Sequence, residues 1–230
     1  MEAHQLVDER PLVSAGERPV ARHKLLVRTL DIAVSVALLV LLAPLLLLIA
    51  LAVRLDSRGP AIYRQRRVGR GLREFTVHKF RSMRTDADPT RHRDYVHSLI
   101  GNGGPELASK KGGLYKLAVD DRITRAGRFL RRFSLDELPQ LWNVLRGDMS
   151  LVGPRPVIAY EVEAYPSQWR ERFQVKPGLT GLWQVSGRNE RTYEEMIRFD
   201  IQYAREHGIW VDLKILARTV RVVALGKGAA

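Results

Sequence analysis

The sequence predicts a protein of mixed α/β class: an α+β domain rich in helices, with short strands, carried on an N-terminal apolar segment and bearing amphipathic helices. Three observations predict it. An almost wholly apolar run extends from Ile32 to Val53 and is interrupted at Pro44. Four later stretches, 123–133, 138–145, 192–203 and 210–225, repeat apolar residues at helical spacing. One stretch, Glu74 to Met83, alternates like a strand, and glycine- and proline-rich connections separate the rest. At 230 residues the chain is long enough for one well-buried domain plus an appendage.

Composition narrows the partners. With 38 basic and 25 acidic side chains the formal charge is +13, which suits nucleic acid, anionic lipid or phosphorylated substrates. Arg and Lys recur from Arg10 to Lys227 with the apolar run among them, which favours a membrane surface over nucleic acid. Aromatic residues make up 7% of the chain and few sit in basic clusters, so base-stacking platforms, and with them a nucleic-acid partner, are not expected. Cysteine is absent, which removes disulfides, thiolate zinc sites and a cysteine nucleophile.

The first segment, 1–20, mixes charges with Pro11, Gly16 and Pro19 and reads as a loose tail. Segment 21–55 holds the apolar run, which would reach about 33 Å as a helix against a hydrocarbon core of about 30 Å. Pro44 divides it into arms of about 18 and 14 Å, too short to cross alone. Both flanks are basic: Arg22, Lys24 and Arg28 before, Arg54, Arg58 and Arg64 after, so both ends prefer the cytoplasm. A re-entrant hairpin satisfies length, proline and charge together, whereas a kinked span satisfies length alone. Arg28 and Asp31 lie one turn apart at its mouth, either as a helix-end ion pair or as groups that orient the segment or meet lipid phosphate.

The remaining 56–230 is the expected catalytic domain. Its first stretch, to Gly71, is basic and turn-rich and reads as lying among lipid headgroups. The strand that follows ends in Lys79, Phe80 and Arg81, where Lys79 alone could be a solvated strand end. Asp86 to Lys116 is polar and glycine-rich, a surface loop whose His92 and His97 lack partners at a metal spacing. Helix 123–133 should turn Ala126, Phe129, Leu130 and Phe133 inward and its arginines outward.

Phe133 to Pro156 carries the chemistry. Ser134 and Glu137 fit a capping box, Leu138, Leu141, Trp142 and Leu145 form one apolar face, and Gly147 closes the helix. Asp136 and Glu137 then sit in the first turn, about 100° apart, so one can attack a phosphoryl group while the other holds a divalent cation. Ringed by Arg131, Arg132 and Arg155, such carboxylates are expected to stay ionised near neutral pH. The plain alternative is an ordinary capped helix with solvated arginines. In the GPRP turn at 153–156, Pro154 and Pro156 bracket Arg155 and aim it back toward the acids, as a phosphate ligand. The loop 175–191 holds Trp183, Gln184 and Arg188 and could stack a base, with Trp183 equally apt to be packed. Helix 192–203 presents Met196, Ile197 and Phe199, and helix 210–225 either lies in the headgroups or packs on the core.

The run SLDELPQLWNVLRGDMSLVGPRP resembles the signature of the monotopic phosphoglycosyl transferase family of bacterial sugar transferases. The likeness extends from about Arg28 to Leu216 through KLLVRTLDIAV, RLDSRGPAIYRQRRVG, FTVHKFRSMRTDAD, RITRAGRFLRR, VKPGLTGLWQVSGR and VDLKIL. It implies transfer of a sugar 1-phosphate from a UDP-sugar to a polyprenyl (undecaprenyl) phosphate, with release of UMP, as the first membrane step of a polysaccharide or glycoconjugate pathway. Membrane lipids are the further partner, the place is the cytoplasmic side of the inner membrane, and a homodimer is compatible. The resemblance makes Asp136 the nucleophile that carries an aspartyl phosphosugar, and gives Mg²⁺ to Asp136 and Glu137. Lys79 and Arg81 of KFRSM, Arg131, Pro154, Arg155, Arg188 and Asp200 become substrate-site residues, with Arg188 toward the nucleotide and Asp200 as support. Departures are Ala43 for the usual Ser, Asp121 for a Pro before RIT, and a missing Asn in EHGIWVDLKIL.

Overall fold

The computed structural model describes residues 20–84, 122–187 and 191–224. Apart from Val20, the tail predicted for 1–20 lies outside the described residues, as do the loop predicted for 86–116 and Arg188.

Two apolar helices come first, α1 (Val20–Leu41) and α2 (Ala43–Asp56), meeting at a bend of 64°. Pro44 lies in the first turn of α2, where its missing N–H breaks no helical bond. Leu42 N still donates to Leu38 O (2.9 Å) and Leu46 N to Leu42 O (2.8 Å), so the chain turns without a hydroxyl at Ala43. No single described helix is long and apolar enough to cross a membrane, while the bent pair together has the length and composition.

Charged side chains fasten both helices to the domain. Arg28 donates to Val144 O and Leu145 O, each at 2.6 Å, capping the last turn of the later helix α4 (Gln140–Arg146). Buried Asp31 accepts from Ser150 Oγ (3.0 and 2.9 Å to its two oxygens) and from Leu151 N (2.8 Å). Both side chains of this pair therefore face protein, away from any lipid phosphate. At the other end, Arg81 donates to the carbonyls of Ser57 (2.6 Å), Arg58 (2.7 Å) and Val53 (3.2 Å), closing α2. Asp56 in turn accepts from Ala126 N (2.9 Å) at the start of α3 (Arg125–Arg132).

The stretch expected to be turn-rich up to Gly71 contains a strand, β1 (Ile62–Val68), paired antiparallel with β2 (Glu74–Phe80) from Ile62↔Phe80 to Val68↔Glu74. The turn between them, with left-handed Gly71 (φ 65°), is short enough to keep that register. A second, parallel pair joins β3 (Ser150–Val152) to β4 (Gly178–Thr180), the crossover carrying α5 (Ala159–Glu163) and a 3₁₀ segment, Ser167–Gln174. Among the described residues the strands thus form two separate pairs, not one small sheet. The last described elements are α6 (Tyr193–Glu206), capped by a Thr192–Glu195 box, and α7 (Ile209–Ala224).

Two predicted helix faces are rotated. In α3 the helix approaches the backbone so closely that a Cβ on Gly127 would meet Ser82 O at 2.1 Å. That contact turns Gly127 and Leu130 inward and leaves Phe129 exposed, contrary to the expected face. In α4 the fully buried Asn143 donates to Thr76 O (2.6 Å) and accepts from His78 N (3.1 Å), which fixes the helix against β2. Gln140, Leu141, Asn143 and Val144 are therefore buried and Trp142 is 53% exposed. Leu141, Val144, Val77, Leu151, Leu182 and Ile215 centre the main core, against which Val34, Leu38 and Leu39 of α1 pack. Ile49 and Val53 of α2 pack with Phe80 and Leu130 in a smaller cluster.

Asp31→Ala would leave the buried Ser150 hydroxyl and Leu151 N–H without acceptors, at a cost on the order of 3 kcal/mol. The expected result is a lowered thermal midpoint in the purified protein, and an unchanged midpoint would show that the clamp carries no stability.

Candidate active site

The two adjacent acids come from the joint between α3 and α4. After α3 the chain passes through Ser134, a left-handed residue at φ 55°, into one 3₁₀ turn, Leu135–Glu137. The expected capping box is not formed. Ser134 cannot cap from that backbone conformation, Glu137 reaches to Lys79 instead, and Pro139 immediately precedes α4. A left-handed serine costs on the order of 1 kcal/mol and persists only where its surroundings enforce it. Gly147 (φ 87°) closes α4 as expected, its N–H bonded to Asn143 O and Val144 O.

Asn143 positions the partner strand. With His78 held against α4, its neighbour Lys79 points to the 3₁₀ turn, and Lys79 Nζ meets Glu137 Oε1 at 2.6 Å. Only 19% and 20% of the two side chains are exposed. Arg155 Nη1 stands 3.9 Å from the same oxygen. The GPRP turn is laced to β4, with Gly153 N donating to Thr180 O and Gly178 N to Pro154 O, both at 2.9 Å. Pro154 is thus a buried part of the turn that aims Arg155. Lys79, Glu137 and Arg155 line a narrow cleft with Arg67, Gln140 and Gln184.

Asp136 is buried beside this group. Burial, and then the neighbouring Glu137 carboxylate, hold Asp136 above the usual carboxylate range, with Lys79 and Arg131 pulling the other way. Of the arginines expected around the acids, Arg131 and Arg155 are present, whereas Arg132 is exposed and lies over the Phe133 ring; Lys79 takes its place, and burial decides the direction. Burial also pushes the Lys79 ammonium below its ordinary range, opposed by Glu137. Arg131, close enough to act on Asp136, donates through Nε to Ser82 Oγ (2.9 Å).

Asp200 supports the cluster from behind. Its carboxylate takes a short hydrogen bond from fully buried Arg172, which also donates to Tyr165 Oη and to Arg155 O, both at 2.9 Å. Burial lifts Asp200 to about 6 against the pull of Arg172, and the pair fixes the Arg155 backbone through Arg172.

Lys79, Arg131, Asp136, Glu137 and Arg155 therefore converge, with Asp200 one residue removed. Arg81 does not join them, because its guanidinium closes α2. Trp183 is packed in the core with Met196 and Ile197, and its ring is not offered for stacking. Sequence reasoning missed Arg67, Gln140 and Arg172. The alternation of Tyr63, Gln65 and Arg67 on one face of β1 was the available signal for the first, and three-residue spacing from Glu137 for the second. Arg172 lies in SQWRERFQ, whose charges read as solvated, so nothing local marks it.

Among the described residues no group of three or more His, Asp and Glu side chains could hold a metal. The donor set at Asp136 and Glu137 is all oxygen and two carboxylates only. That set fits a hard cation such as Mg²⁺ shared with a phosphate ligand, not a closed protein cage.

Comparison with known proteins identifies the family. A family model described as bacterial sugar transferase matches residues 22–226. The galactosyl transferase CpsE of Streptococcus agalactiae is 44% identical over 208 residues, covering 90% of this chain and 44% of the relative. The undecaprenyl-phosphate galactose phosphotransferase of Salmonella typhimurium is 43% identical over 206 residues, covering 90% and 42%. The UDP-glucose:undecaprenyl-phosphate glucose-1-phosphate transferase of Caulobacter vibrioides is 42% identical over 224 residues, covering 94% and 75%. The chain spans less than half the length of the first two.

Because the raised pKa favours neutral Asp136 in the folded protein, stability is lost as pH rises through that value. Asp136→Asn, which mimics the neutral form, should keep or raise the thermal midpoint at pH 7. Carboxyl NMR of the wild type should show Asp136 titrating above 3.8, and Glu137→Gln should lower that value by removing the second-largest cause. Titration at or below 3.8 would refute the burial argument.

Proposed function

The chain belongs to the bacterial sugar transferase family, and on that premise we propose that it is a phosphoglycosyl transferase moving a hexose 1-phosphate from a UDP-sugar to undecaprenyl phosphate. The observation that carries the mechanism is the buried Asp136 carboxylate adjoining a cleft lined by Lys79, Glu137 and Arg155. An Asp136 oxygen attacks the β-phosphorus, the bond to the α-phosphate oxygen breaks, and UMP leaves with that electron pair. An oxygen of polyprenyl phosphate then attacks the phosphorus of the aspartyl phosphosugar, and Asp136 departs as a carboxylate. Covalent exchange divides one displacement between anions into two smaller steps.

Positioned charge supplies most of what such transfers need. Lys79 and Arg155 face the phosphoryl oxygens, and Arg131 favours the ionised form of the nucleophile. Asp136 and Glu137 would hold Mg²⁺, which when bound supplies positive charge to phosphate oxygens. Arg172 and Asp200 keep Arg155 in place through its carbonyl.

The bent α1–α2 pair serves as a re-entrant anchor in the cytoplasmic leaflet of the inner membrane. Support comes from the exposed Val40, Leu41, Leu47 and Leu48 around the bend and from basic residues at both outer ends. On α7, Val211 and Ile215 pack inward while Trp210 and Val220 are exposed near Arg218 and Arg221, an arrangement suited to lipid headgroups.

In purified protein supplied with a panel of UDP-sugars and polyprenyl phosphate, Asp136→Asn should abolish both UMP release and lipid product. Near-normal turnover by that variant would remove Asp136 as nucleophile. For the wild type, kcat/KM should fall as acidification protonates Asp136, with the acid limb above the ordinary aspartate value of 3.8.

A further inference from the structure

Resting on this phosphoryl-transfer reading, we propose that Arg67 and Gln140, two cleft residues outside the Asp136 cluster, bind phosphate oxygens of a substrate. Arg67 is carried inward by β1, with only 11% of its side chain exposed. Its guanidinium donates to Gln65 Oε1 (3.1 Å from Nε, 2.7 Å from Nη2) and to Pro156 O (3.2 Å from Nη1). These partners are neutral. The nearest carboxylate, Glu161, is 3.8 Å away and already accepts from Ile158 N (3.1 Å) and Tyr193 Oη (2.9 Å).

A buried guanidinium beside Arg155 and Lys79 is unfavourable in the empty cleft. Burial, and then Arg155, push Arg67 down to about 10, against Glu161. The cleft wall presents three cations, Arg67, Lys79 and Arg155, with Glu137 as its one carboxylate. An anion entering there relieves the repulsion and gives Arg67 the charged acceptor that its fork suits.

Gln140 adds a donor to the same wall. It is 2% exposed, lines the cleft, and its Nε2 has no hydrogen-bond partner among the described residues. Buried amides are ordinarily satisfied, so an orphan donor in a cationic cleft is explained by an acceptor that arrives with the ligand. Its place three residues after Glu137 puts it on the turn of chain that leads from the acids into α4. The ligand chemistry is a phosphate oxygen, which either the diphosphate of the UDP-sugar or the phosphate of the polyprenyl acceptor can supply.

The two sources separate in binding measurements on the full chain in detergent, with UDP and UDP-sugar in one arm and a short-chain polyprenyl phosphate in the other. Arg67→Gln and Gln140→Met should each weaken one ligand by about tenfold or more, the loss expected for a hydrogen bond to a charged group. Loss confined to UDP and UDP-sugar assigns the pair to the donor diphosphate; loss confined to the lipid phosphate assigns it to the acceptor. Arg67→Lys should recover part of the affinity by restoring charge without the fork. Gln140→Met, which deletes an unsatisfied donor, should leave the ligand-free thermal midpoint equal or higher, and it carries the test if Arg67→Gln fails to fold. Wild-type affinity for both ligands in a folded variant would overturn the assignment of that residue, as would a lowered midpoint for Gln140→Met with affinity intact. Wild-type protein that neither binds nor turns over any UDP-sugar would instead overturn the proposed function itself.

Discussion

The site is organised by one partly buried ion pair, Lys79–Glu137, which ties β2 to the 3₁₀ turn bearing both acids. With about four-fifths of each side chain withdrawn from water, the pair is only weakly screened, and losing either partner would strand a charge. Such a pair does little for net stability compared with apolar packing of the same volume. Its effect is positional: the Lys79 ammonium stays within 2.6 Å of the carboxylate next to Asp136. Asn143 makes the pairing possible, because its two backbone bonds fix α4 on β2 so that Lys79 and Glu137 meet.

The same economy of charged groups recurs where the apolar helices join the domain. Arg28, Asp31, Asp56 and Arg81 all bond backbone or hydroxyl groups at the ends of helices and strands. Helix ends leave carbonyls and amides unsatisfied, and at a membrane surface water is a poorer partner than a fixed guanidinium or carboxylate. Two side chains that might have met lipid phosphate or substrate, Arg28 and Arg81, are in this way committed to capping. The bent pair is consequently held against α3, α4 and β3, so its position relative to the cleft is fixed.

Much of this was legible in the sequence. The apolar run, its break at Pro44, the Gly147 cap and the helix period at 192–203 follow from local rules that the tertiary structure leaves alone. The acid pair and Arg155 were legible too, since two prolines and a glycine restrict where that arginine can go. What failed were features decided by distant contacts. Ser134 and Glu137 satisfy the capping-box pattern, but Lys79, far away in the chain, competes for the glutamate and wins. Trp142 and Phe129 sit at apolar positions of their helices, yet Asn143 and Gly127 set the rotation. Arg67 looked like one more headgroup cation because the strand that turns it inward is recognisable only once β2 is paired with it.

The environment of Asp136 also gives a physical reason for a divalent cation. Without substrate, burial and Glu137 already disfavour its charge, and Lys79 and Arg131 offset that only in part. A diphosphate brought into the cleft adds negative charge beside the same carboxylate and would raise its pKa further, which reduces the fraction able to attack. Lys79 cannot compensate alone, because it is shared with Glu137 and its own ammonium is weakened by burial. On the proposed mechanism, Asp136 must stay ionised while an anion approaches, and would need positive charge that arrives with that anion. On that mechanism, a cation carried in with the diphosphate and held by Asp136 and Glu137 would supply it at the moment it is required.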